Sequence, residues 1–268
     1  MYSAVILTFN EEKALPGCLT SLASCDDIVV LDSGSTDGTA DLARGAGARV
    51  FTHPFVSFAA QRNYAQREIG FRNPWVLHID ADERLTPELD AEFRRVVGRR
   101  DLDGFRIAPK MIFEGRWIRH CTDYPAFQAR FVRAPEFEFV QVGHGQREAP
   151  GMRLGNLKEG YLHEISIYGE AAWLEKHRKY ARAEALEMLD RKNDASWSHL
   201  FSSDPLARRR AIKRLSFALP FRPMARFVYQ YCLRLGFLDG RTGLRYCLLL
   251  ARYEGFIEDE IDRLRNPR

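Results

Sequence analysis

Three carboxylates crowd the stretch WVLHIDADERL, where Asp80, Asp82 and Glu83 follow a run of largely apolar residues. Carboxylates this close repel one another, and each is costly to desolvate unless a cation offsets its charge. A divalent ion resolves the conflict. Oxygen ligands suit Mg²⁺ or Mn²⁺, which take one or two protein carboxylates and complete their shell with water and phosphate oxygens. Two more polar clusters follow apolar runs: Thr8-Phe9-Asn10-Glu11 behind SAVIL, and Asp32-Ser33-Gly34-Ser35 behind IVVL. Together the three describe a metal and nucleotide site. The plainer alternative is a solvated strand end at Asp80 and Asp82 that caps the helix starting at Thr86-Pro87.

The elements that must carry these clusters are legible from periodicity. SAVILTF is a short β-branched strand, and EEKALPGCLTSLAS follows with apolar residues at helical spacing. DDIVVLDSGSTDGTADLARGAGA repeats the pattern, with N-cap residues in its turn. ARVFTHP and PWVLHID make strands three and four, joined by a helix over SFAAQRNYAQREI. Alternating strands and short-looped helices imply an α/β fold with a mainly parallel, doubly wound sheet. Ligands in such sheets sit at the carboxyl ends of the strands, where all three polar clusters fall.

Composition narrows the class. The chain has 268 residues, 46% hydrophobic and 28% charged, enough for a full core and too apolar for a disordered tail. Its five cysteines, at 18, 25, 121, 232 and 247, form no CxxC pair, which argues against a disulfide framework or a zinc site and fits a reducing cytoplasm. Met1 to Phe9 lacks the basic flank of a signal peptide, and no apolar run approaches the roughly 20 residues of a spanning helix. Net charge is +4, but the segment 205–252 carries about +10 and the remainder about −6. The two parts are expected to meet different partners.

With these motifs in place, a family resemblance is visible. SAVILTFNEE, IVVLDSGSTDGT, AQRNYA and VLHIDADERL resemble the nucleotide-sugar-binding half of the inverting GT-A glycosyltransferases of family 2. GRWIRHCTDYPAFQARFVR, VGHGQRE, GYLHE and the C-terminal PFRPMARFVYQYCLRLGFLDGRTGLRYCLLLARYE are similar to bacterial members that build lipopolysaccharide core, capsule or exopolysaccharide. The resemblance implies that Thr8, Phe9, Asn10 and Glu11 line the base and ribose pocket, and that Asp32 and Ser33 hold the uridine or ribose edge. It further implies that Arg62 approaches the diphosphate, that Asp80 and Ala81 border the donor, and that Asp82, with Asp80, binds the metal. His163 would complete the metal or diphosphate site. Phe9 stands where relatives often carry Tyr. For Asp32 the alternative role is a helix cap, and for Arg62 a solvent-facing helix position.

Transfer with inversion needs a base to take the acceptor hydroxyl proton. Many relatives supply it from a YPD motif, but this chain reads Tyr124-Pro125-Ala126. Asp123, just before that pair, is the preferred base, with Glu114 and Glu148 as alternatives and a turn-initiating role for Asp123 as the bland reading. His144, between two glycines, and Trp117 are candidates for acceptor or diphosphate binding.

Residues 1–168 are thus expected to form the nucleotide-sugar and catalytic domain, and 169–268 a helical, basic, membrane-associating appendage, with a linker over RKNDASWSHLFSSDP. The basic-aromatic interleaving suits anionic lipid better than nucleic acid, since it is attached to a nucleotide-sugar site. The expected activity moves a sugar from a nucleotide sugar, a UDP-sugar in the first instance, to a lipid-linked or glycan acceptor at the inner face of the cell membrane. The competing class is a nucleotide-binding or scaffold protein that keeps the pocket without transfer. A dinucleotide dehydrogenase is disfavoured because LDSGSTDG lacks the G-x-G-x-x-G spacing.

Overall fold

The computed structural model describes residues 1–142, 145–190 and 221–266. They fall into two compact units: Met1–Ile112 with Tyr124–Ile167, and Phe113–Asp123 with the chain from Tyr168 on. The chain passes into the second unit for good at Tyr168. The segment Phe113–Asp123 departs from expectation, because it belongs with the C-terminal helices.

The first unit is built on a seven-stranded sheet. Strands β1 (Ser3–Thr8), β2 (Asp27–Asp32), β3 (Arg49–Thr52) and β4 (Trp75–Asp80) are those read from the sequence. They alternate with helices α1 (Leu15–Ser21), α2 (Thr39–Gly45) and α3 (Phe58–Glu68), and α4 (Pro87–Val96) follows β4 across a two-residue turn and the short strand β5 (Glu83–Arg84). Further strands are β6 (Gly104–Ile107), β7 (Lys110–Phe113), β8 (Arg116–Trp117), β9 (Gln128–Arg133), β10 (Phe139–Val142), β11 (Gly145–Glu148), β12 (Leu154–Asn156) and β13 (Leu162–Glu164). The large sheet runs β12-β6-β9-β4-β1-β2-β3. All neighbours are parallel except β9, which is antiparallel to both β4 and β6. A small second sheet sets β13 between β5 and β7, and β10 and β11 form a separate hairpin.

Alternation along the strands supplies a core on each face. Ala4, Ile6, Val30, Leu77 and Ile79 pack with Leu15, Cys18, Leu89 and Phe93 of α1 and α4. Val5, Leu7, Val29, Leu31 and Val76 pack with Ala65 and Ile69 at α3 and its end. Each of these buried Val, Leu, Ile and Phe side chains contributes about 1.5–3 kcal/mol, which fixes the register. Register in turn aligns the strand ends: Thr8 pairs with Asp32, and Leu7 with Asp80. Helix starts follow capping chemistry. Ser57 Oγ accepts the Ala60 N–H at 3.2 Å, and Thr86 Oγ1 accepts that of Leu89 at 3.2 Å, with Pro87 at the first position.

The opposite end of the sheet is held by Asp27. Its buried carboxylate accepts Ser3 Oγ at 2.6 Å, the Arg72 N–H at 2.8 Å, and Arg49 Nε and Nη2 at 3.1 Å each. Burial opposes the charge, but these donors overcome it and hold the pKa below the usual carboxylate range. The stabilisation is complete above the unfolded value of about 3.9 and is lost as pH falls through the depressed folded value. Asp27→Asn is expected to cost about 2–3 kcal/mol at pH 7 by urea unfolding, and the gap from wild type should close at acidic pH.

The second unit carries α5 (Gly169–Asp190), α6 (Arg222–Val228), a π-helical turn over Tyr229–Leu233, a 3₁₀ turn over Gly236–Asp239, and α7 (Gly240–Arg265). Asp239 explains why 113–123 joins it: its carboxylate accepts the N–H groups of Arg119 at 3.2 Å and of His120 and Cys121 at 2.8 Å. Gln230 Nε2 and Arg234 Nη2 donate to the carbonyls of Cys121 and Thr122 at 3.1 and 2.6 Å. Among the described residues no helix is long and apolar enough to cross a membrane. The expected linker at 191–205 and the basic run at 208–214 lie outside the described residues.

Candidate active site

The ends of β1, β2 and β4 meet as one polar row in the first unit. Asp32, at the end of β2, is buried and accepts four hydrogen bonds: Thr8 Oγ1 at 2.9 Å, Ser35 Oγ at 2.5 Å, and the N–H groups of Gly34 and Ser35 at 3.0 and 2.8 Å. Burial opposes ionisation, yet these donors lower its pKa. A carboxylate has about four acceptor positions, so Asp32 is saturated within the chain. It organises the loop, and contact with a nucleotide would require exchanging one of these partners. Ser33 N–H donates to the Thr8 carbonyl at 2.9 Å, and its Oγ accepts Gln61 Nε2 at 2.8 Å.

The loop after β1 is the open side of this row. Phe9 is 58% exposed. Asn10 adopts φ +56°, a left-handed conformation that Asn tolerates better than most residues. Its N–H donates to Ser35 Oγ at 2.8 Å and its Oδ1 accepts the Thr36 N–H at 2.8 Å, which ties the β1 and β2 loops together. The Glu11 N–H donates to Thr39 Oγ1 at 2.8 Å.

The three crowded carboxylates have different partners. Asp80 Oδ1 accepts Arg62 Nη2 at 2.8 Å, and Oδ2 accepts both terminal nitrogens of Arg130 at 3.1 Å. Glu83 is buried, accepts Arg130 Nη2 at 2.9 Å on Oε1, and accepts the Asp80 N–H at 2.8 Å on Oε2. Burial alone would raise the Asp80 pKa, and the charges of Arg130 and Arg62 instead push it down. Glu83 moves the other way, since burial and the neighbouring Asp80 charge outweigh Arg130. Asp82 faces neither arginine. Its Oδ2 lies 3.3 Å from His163 Nε2, and each side chain keeps 27% exposure. The β5–β13 pairing sets His163 opposite Glu83, and the Glu164 N–H donates to the Asp82 carbonyl at 2.9 Å. Burial disfavours the His163 imidazolium, but the Asp82 bond and charge raise its pKa. Ala81 is buried between the two aspartates.

Several expectations change here. Arg62 is fully buried and grips Asp80, so it is neither solvent-facing nor open to a diphosphate in this conformation. Asp80, with both oxygens held by arginines, is an anchor rather than an open metal ligand. Glu148 accepts Arg106 Nε at 2.8 Å and ion-pairs with its Nη2, and although burial opposes it, Arg106 lowers its pKa, which weakens it as a base. Asp123, Glu114 and Trp117 belong to the second unit. There Glu114 pairs with Arg245 at 2.5 Å, Asp123 is exposed, and the Arg119 guanidinium lies 5.6 Å from the Trp117 ring centre. His144 lies outside the described residues.

Sequence reasoning assigned no role to Arg130, Gln61 or Tyr161. Arg130 sits 5.5 Å above the ring of Tyr161, a buried residue two positions before His163. The available signal was an arginine inside an otherwise apolar strand, QARFVR.

A divalent cation can be tested against this donor set. Among the described residues no group of three or more His, Cys, Asp or Glu side chains could hold a metal. Asp82 and His163 remain as a half-exposed pair within reach of one ion. Two protein ligands with phosphate and water completing the shell is the usual manner of Mg²⁺ and Mn²⁺ at diphosphates, so the residues fit.

The glycosyl transferase family 2 description matches residues 3–132. The lipopolysaccharide core biosynthesis glycosyltransferase LpsC of Rhizobium meliloti (strain 1021) is 29% identical over 268 residues, covering 93% of this chain and 90% of that protein. An uncharacterized glycosyltransferase of Rickettsia bellii is 35% identical over 104 residues, which cover 38% of this chain and 35% of its own length. The crystal structure of S. aureus TarS 1-349 matches 100% of this chain and 92% of its own, at 16% identity and a TM-score of 0.45.

Proposed function

We propose, from the premise that this chain is a glycosyltransferase whose residues 3–132 form a family 2 domain, that it transfers a sugar from a UDP-sugar to a hydroxyl of a lipid-linked or glycan acceptor, with inversion. The observation that carries this reading is the row Thr8–Asp32–Asp80 ending in one carboxylate, Asp82, that no arginine among the described residues neutralises. The exposed loop Phe9–Glu11 would receive the base and ribose beside that row. Kinship with LpsC supports an acceptor in lipopolysaccharide core or a related surface glycan.

Asp82 and His163 would hold a divalent cation, Mn²⁺ in preference to Mg²⁺ because imidazole is a ligand. When bound, that ion would stabilise the charge developing on the departing nucleoside diphosphate. Asp123 would take the acceptor hydroxyl proton as the oxygen attacks the anomeric carbon from the face opposite the leaving group. The anomeric C–O bond to phosphate breaks as the glycosidic bond forms, and the leaving group carries away the electron pair. A thermal-shift screen of nucleotide sugars with Mn²⁺, followed by donor hydrolysis, tests the donor class; no stabilisation by any uridine nucleotide would remove this reading. Ala126 favours one other reading, a protein that binds nucleotide without transfer, and nucleotide binding with no release of diphosphate in the presence of acceptor would establish it.

The acceptor class suggests work at the cytoplasmic face of the membrane. Phe221, Met224, Leu233, Phe237 and Leu238 are exposed in the second unit, close in sequence to Arg226, Arg234 and Arg241. Apolar insertion plus about 1 kcal/mol per arginine near anionic headgroups would give salt-sensitive peripheral binding. Flotation should recover the protein with anionic vesicles at low salt and several-fold less at high salt or with neutral lipid. Equal recovery in the soluble fraction throughout would count against membrane contact.

A further inference from the structure

Arg130 lies one strand away from the carboxylate row, on β9, and its guanidinium joins the side chains of Asp80 and Glu83, whereas Arg62 holds Asp80 alone. Its Nη2 bridges Asp80 Oδ2 at 3.1 Å and Glu83 Oε1 at 2.9 Å, residues on either side of the Ala81–Asp82 turn. Its Nη1 donates again to Asp80 Oδ2 at 3.1 Å and reaches the His78 carbonyl at 3.4 Å. The side chain is 6% exposed, so it is shielded from solvent and from any substrate outside the fold. Arg62 and Arg130 take Asp80 and Glu83 as their partners in this group, and Asp82 stands outside it, beside His163.

We propose that Arg130 is a positioning residue for transfer: by clasping Asp80 and Glu83 together it fixes the turn between them, so that Asp82 faces the cation as the carboxylate of this turn that neither arginine holds. This rests on the reading of Asp82 and His163 as the cation pair and extends it to a residue that touches neither cation nor sugar. The chemistry requires an arginine. A planar fork can serve two carboxylates at once, whereas the point charge of lysine follows one or the other. Without the clasp, the Asp80 and Glu83 side chains lose their shared partner across the turn, and Asp82 loses its fixed aim.

The test compares wild type with Arg130→Lys, which keeps the charge, and with Arg130→Met/Glu83→Gln, which removes one charge of each sign. Circular dichroism establishes folding, calorimetry measures Mn²⁺ affinity in the presence of UDP, and hydrogen exchange follows the amides of 80–84. Partners behind a metal ligand commonly change metal affinity or activity by about 10–100-fold. Both variants are therefore expected to fold, to bind Mn²⁺ roughly tenfold more weakly and to exchange faster at 80–84, with kcat falling further than KM rises. Wild-type Mn²⁺ affinity and exchange in a folded Arg130→Lys protein would overturn the proposal. So would failure of both variants to fold, which would make Arg130 a residue of the core. If wild type itself binds no Mn²⁺, the cation reading fails separately, and unchanged exchange at 80–84 would still dismiss the clasp.

Discussion

Asp82→Asn is expected to abolish cation-dependent transfer while leaving the protein folded. The amide keeps the size of the side chain and loses the charge, and among the described residues the Asp82 side chain has only the 3.3 Å contact to His163 to give up, so little stability is at stake. The function lost is larger. Cation stabilisation of a leaving diphosphate is worth several kcal/mol, and at about 1.36 kcal/mol per decade this is roughly a thousandfold in rate. Asp80→Asn should behave differently. It leaves Arg62 and Arg130 facing a neutral partner in a buried setting, so its melting temperature should drop along with activity. Initial rates across a Mn²⁺ titration, beside melting curves, separate the two. Equal activity of both variants with wild type at limiting Mn²⁺ would refute the division of labour between the aspartates.

The second large effect is expected at the base. Asp123→Asn should lower turnover on the order of a hundredfold or more with UDP affinity near wild type, because a general base acts in the transition state and not on the nucleotide. Glu148→Gln should act mainly through lost pairing with Arg106, and Glu114→Gln through lost pairing with Arg245. Both should show smaller kinetic effects. A full loss in either, with Asp123→Asn near normal, would reassign the role.

The four parallel strands were legible because apolar β-branched runs end in polar clusters, and register then aligns Thr8, Asp32 and Asp80. What each side chain does there was less legible. In sequence, Arg62 resembles any cation on a surface helix, and only tertiary packing reveals that α3 turns Gln61, Arg62 and Gln66 inward. Asp32 carries the residue type of a ligand contact, yet the serine and glycine that follow it in the chain use its acceptors first. Asp239 was the lone acid of a basic segment, and nothing local announces that it gathers the N–H groups of residues 119–121, more than a hundred positions away. The antiparallel strand β9 was missed for a related reason. Its four consecutive buried residues, Ala129 to Val132, give no alternation to read, and one of them is Arg130.

The most direct measurement is release of UDP from a panel of UDP-sugars with a glycan or lipid-linked acceptor present, with and without Mn²⁺, for wild type and Asp82→Asn. Wild type is expected to show acceptor-stimulated UDP release from at least one donor, lost on chelation and absent in the variant. Release that is indifferent to Mn²⁺ and to the Asp82 charge would contradict it.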